Sequence, residues 1–118
     1  MDTRVFVHTI IDKTTEGKLE WEPTALGYEL VATFGREYII RVRGPHVFEG
    51  EDGNEEFDSS TSLSLETAGG AMIIWLSTHE AQRKPGVEHL PELWEMIRCG
   101  GKSPEQAMED AWRKLEQL

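Results

Sequence analysis

Four histidines, one cysteine and 22 carboxylates are the residues of this chain with chemistry to offer, and their spacing limits what that chemistry can be. His8, His46, His79 and His89 are separated by long intervals, and none has a second ligand at the close spacing of a zinc helix or knuckle. A metal site would need the connector after His79 to fold back until His79, Glu80 and His89 converge, so ordinary surface or half-buried histidines are expected. Cys99 is the only thiol, which excludes an internal disulfide. It falls at the end of an expected helix, where the negative pole of the macrodipole opposes a thiolate nucleophile. No serine stands in a Gly-x-Ser-x-Gly turn, and Gly69-Gly70 and Gly100-Gly101 read as a hairpin turn and a helix stop rather than phosphate cradles. No catalytic residue, metal ligand or cofactor is assigned.

The densest feature is acidic. Glu49, Glu51, Asp52, Glu55, Glu56 and Asp58 place six negative charges in ten residues that contain no base. A calcium loop does not fit, because setting Gly53 at the sixth position of an EF-hand puts Phe48 at the first, where a carboxylate is needed. Two readings remain, a solvated loop and a docking patch for a basic surface, and these six residues are the candidate partner-binding set. Arg36, Arg41 and Arg43 cluster in or beside a hairpin. They would form a solvated strand face, an Arg and aromatic binding surface, or an internal counter-charge to the acidic loop. Trp21, Trp75, Trp94 and Trp112 sit in apolar stripes, which points to core packing, and any exposed Trp would mark an interface.

These residues must be positioned by a single domain, since 118 residues provide one core. The formal charge of −10 disfavours nucleic acid and anionic membrane and favours a basic protein partner. Met1-Asp2-Thr3-Arg4 has no apolar signal-peptide core, so a cytoplasmic address is expected. The longest apolar run, 71–76, is far shorter than a spanning helix needs.

Asp2 or Thr3 can cap a first helix running through Ile11 toward Glu16, with Phe6, Val7, Ile10, Ile11 and Thr14 on one face and Gly17 as its stop. Alternation then predicts strands over 18–22, 28–34, 37–43, 61–67 and 71–77. Gly35-Arg36 turns the second into the third, and the stretch 49–58 reads as a loop. The last strand, whose apolar residues do not alternate, is expected to be central or covered on both faces. Pro91 opens a helix with Leu90, Leu93, Trp94 and Ile97 buried. Ser103-Pro104-Glu105-Gln106 is a capping-box arrangement for a final helix, with Ala107, Met108, Ala111, Trp112, Leu115 and Leu118 on one stripe.

The expected class is α+β: an N-terminal helix, about five antiparallel strands, and two C-terminal helices packed on one face. The run Ile11-Asp12-Lys13-Thr14-Thr15-Glu16-Gly17-Lys18-Leu19-Glu20-Trp21-Glu22-Pro23-Thr24, with the later Leu-Trp-Glu-Met-Ile-Arg helix, resembles a loose family of short uncharacterised bacterial proteins. That resemblance implies a first helix before a small antiparallel sheet and brings no activity or site. The functional expectation is a non-enzymatic interaction protein, an accessory, regulatory or inhibitory subunit docking a basic protein through the acidic loop or the open sheet face. The sheet face would also serve a homo-oligomer. The alternative is a small enzyme or ligand-binding domain with its site between sheet and helices.

Overall fold

The computed structural model describes residues 2–79, 83–100, 102 and 104–118. Helix α1, Thr3–Thr15, starts where the Asp2 carboxylate accepts the Arg4 N–H at 2.9 Å, and buries Val7, Ile10 and Thr14. It ends as Gly17 takes φ 75°, open to glycine at little cost.

Among the described residues, five antiparallel strands form one sheet and two further strands pair apart from it. The main sheet comprises β1 (Glu22–Pro23), β2 (Glu29–Phe34), β3 (Tyr38–Arg43), β6 (Ser62–Thr67) and β7 (Met72–Ser77). The first strand is shorter than alternation predicts, because Leu19 and Trp21 pack against the core instead of pairing in the ladder. Side chains of one parity, among them Ile40, Val42, Leu63, Leu65 and Leu76, meet α1 and helix α2 (Leu90–Arg98). All four residues of the expected α2 stripe, Leu90, Leu93, Trp94 and Ile97, are buried. Trp94 comes so close to Gly44 that a Cβ there would lie 2.1 Å from its ring.

Three expectations need correction. The acidic stretch is no plain loop: β4 (His46–Glu49) and β5 (Glu55–Asp58) pair as a hairpin. Its turn is closed by Gly50 N–H on the Asn54 carbonyl at 2.8 Å and by Asn54 N–H on the Asp52 carboxylate at 3.0 Å. Next, β7 is an edge strand with Met72, Ile73 and Trp75 exposed. A bulge breaks its alternation, since Leu65 faces Ile74 while Glu66 faces Met72, leaving Ile73 as the extra residue. Finally, α3 (Pro104–Glu116) buries none of its residues, so the stripe containing Met108, Trp112 and Leu115 faces solvent rather than the core. Its expected cap, Ser103, lies outside the described residues. No described helix is long and apolar enough to cross a membrane.

Candidate functional site

The sheet face turned away from the helices carries a charge network built by strand register. Glu29 stands directly opposite Arg43, and Val31 opposite Arg41, so the Glu29 carboxylate is within reach of both guanidinium groups. Arg41 Nη1 donates to Glu29 Oε1 at 2.7 Å, Arg43 Nε donates to Glu29 Oε2, and Arg41 Nε donates to Glu66 Oε2 at 2.9 Å. Ser64 adds a hydroxyl donor to Glu66 at 3.0 Å. Burial pushes the Glu29 carboxyl up, but the hydrogen bonds from Arg43, Thr24 and Arg41 outweigh it and leave the group below its ordinary range. Glu66 is held low chiefly by its bond from Arg41. The arginines therefore find their counter-charges on the sheet and not in the acidic stretch.

The β4–β5 hairpin rises beside this network. Its base is anchored by His46, whose ring stacks on Tyr28 at 3.7 Å and 6°. Between hairpin base and sheet lies a hollow of about 480 Å³, lined by Arg41, Arg43, His46, Asp58, Ser64 and Trp75 among others. Asp58 accepts hydrogen bonds from the Ser60 hydroxyl at 2.6 Å and the Ser60 N–H at 2.9 Å, which hold its carboxyl below the usual range with help from His46 and His79.

The structure divides the six acidic residues. Asp58 belongs to the hollow, while Glu49, Glu51, Asp52, Glu55 and Glu56 are exposed on the hairpin arm. Glu49 and Glu55 are cross-strand partners, an arrangement of like charges that costs stability. Among the described residues no lysine, arginine or histidine forms an ion pair with any of the five. On the same hairpin face, Val47 and Phe57 are also directly paired, and they remain 57% and 66% exposed. The acidic run concealed this apolar pair. Its sequence signal was the placement of Val47 and Phe57 two residues outside Glu49 and Glu55.

The histidines disperse. His46 lines the hollow, His8 and His89 meet on the helical side at 4.6 Å between ring centroids, and His79 does not join them. Glu80 lies outside the described residues. Among the described residues no group of three or more His, Cys, Asp or Glu side chains is arranged to hold a metal ion. Cys99 caps the C-terminal end of α2, half-buried, as its position in sequence implied. No family model matches the chain, and neither curated proteins nor solved structures provide a match.

Proposed function

We propose that the chain is a cytoplasmic, non-enzymatic interaction protein that docks a basic protein partner through the β4–β5 arm. One observation carries this reading: the exposed Val47–Phe57 pair beside the Glu49–Glu55 pair, which has no ionic counter-charge among the described residues. Carboxylates kept only to stay wet need no aromatic among them, and a two-stranded hairpin exposing an apolar pair and opposing like charges is weakly stable alone. A basic surface with an apolar centre would relieve both costs, as aromatic anchors with a charged rim do in protein interfaces. The acidic arm would steer the encounter and Phe57 would hold the bound state.

Affinity capture from the native host tests it, using wild type, the double variant Val47→Ser/Phe57→Ser, and a variant with Glu51, Asp52, Glu55 and Glu56 neutralised. A basic protein enriched by wild type and lost with both variants supports the reading. Equal recovery with all three contradicts it. A second reading, a small-ligand site, rests on the hollow between Arg41, Arg43, Asp58 and Trp75, whose volume lies within the usual range for such pockets.

A further inference from the structure

Helix α3 is amphipathic, and none of its described residues is buried. Met108, Ala111, Trp112 and Leu115 fall within one stripe of its surface, and Trp112 is 64% exposed. Along one edge of that stripe helical spacing aligns Glu105, Glu109 and Glu116, of which Glu109 also approaches Arg113 of the same helix at 3.9 Å. A second surface matches these features. Phe6 and Ile10 of α1, with Leu19, Phe34 and Ile40, line an open groove of about 300 Å³ whose surface is almost wholly apolar. Lys13 and Lys18 stand on its rim. Both lysines lean on the single carboxylate of Glu16, at 3.3 and 3.8 Å, so the rim keeps a net positive charge in a chain of formal charge −10.

We infer that the chain forms a two-fold homodimer in which α3 of each copy lies in the α1 groove of the other, Trp112 and Met108 entering the groove and the glutamate edge facing Lys13 and Lys18. The helix and the groove are complementary in both apolar character and charge. The groove takes an apolar side chain and offers a cationic rim; α3 offers bulky apolar side chains bordered by glutamates. The second copy is the occupant the charges favour, because this helix carries the acidic edge that the rim requires. Its own chain does not use it in this way, since no residue of α3 lines the groove. The exchange is isologous, so both contacts form together and the interface closes on itself without polymerising. It lies on the helical side and is separate from the acidic arm, so it stands whether or not that arm docks a partner.

The test is sedimentation equilibrium of the full chain over about two decades of concentration, on wild type and two charge-reversed variants. One is Lys13→Glu/Lys18→Glu and the other is Glu105→Lys/Glu109→Lys. Wild type should dimerise, and each reversal alone should weaken the dimer by about tenfold or more. An equimolar mixture of the two variants should restore it, since each contact in the mixed dimer again joins opposite charges. Circular dichroism checks that both variants remain folded. A wild type monomeric throughout overturns the inference, whether Trp112 is open to acrylamide or shielded by α3 folding onto its own groove. A dimer unaffected by either reversal, or a mixture that fails to restore association, overturns it equally.

Discussion

Glu29 lies diagonally across β2 and β3 from Arg41, and its nearly buried carboxylate accepts a 2.7 Å hydrogen bond from that residue while also holding Arg43. One carboxylate thus fixes two guanidinium groups, and Glu66 takes the remaining Nε of the first. The open face is set by this arrangement.

Replacing Glu29 by Gln leaves two arginines short of a counter-charge. Because Arg41 and Arg43 retain contact with water, the expected cost is about 1–3 kcal/mol, less than for a fully buried pair. The sign with pH follows from the lowered carboxyls of Glu29 and Glu66. A group depressed in the folded state adds stability above its unfolded pKa, and that contribution is lost as pH falls through the folded value. Urea midpoints should therefore fall for wild type below the ordinary carboxylate range and fall less steeply for Glu29→Gln. Parallel pH profiles would count against the network.

Gly44 is required by the approach of Trp94. An added Cβ would sit 2.1 Å from Trp94 Cε2, so Gly44→Ala must displace a buried ring. Overpacking of this kind costs about 1–3 kcal/mol, and thermal unfolding should show the loss. An unchanged melting temperature would mean that the ring moves freely.

Trp21 supplies a smaller test. Its indole N–H donates to Thr14 Oγ1 at 3.1 Å, tying the segment after α1 back to the helix. Thr14→Val should cost about 1 kcal/mol by stranding that donor, and Thr14→Ser should cost less. Equal losses would assign the effect to packing instead.

The sequence was legible where one period dominated. The α1 and α2 stripes and the β2–β3 hairpin follow from spacing and from breakers such as Gly17, Gly35 and Pro91. The Glu29–Arg43 pairing was not legible, because a two-residue turn at Gly35-Arg36 would set Glu29 opposite Val42, whereas the chain takes a three-residue loop, 35–37, that pairs Phe34 with Tyr38 and shifts the register by one. The edge position of β7 was hidden too, since its open-face residues Met72 and Trp75 are as apolar as its core-facing Ile74 and Leu76, and the Ile73 bulge adds one more. The β4–β5 pairing was hidden because Glu and Asp are poor strand formers and only tertiary anchoring, through His46 on Tyr28, offsets that preference. The open stripe of α3 had the same periodicity as a buried one, and periodicity does not say what covers a helix.

Docking of a basic partner by the β4–β5 arm is read from the association rate with the captured partner across a salt series. Wild type is compared with the variant in which Glu51 and Asp52 become Gln and Asn and Glu55 and Glu56 become Gln. All four side chains are exposed, so stability should stay within about 0.5 kcal/mol or rise slightly as like charges are removed. The variant should associate more slowly at low salt and lose most of its salt dependence, while at high salt the two rates converge. Equal association rates at every salt concentration would show that these carboxylates take no part in docking.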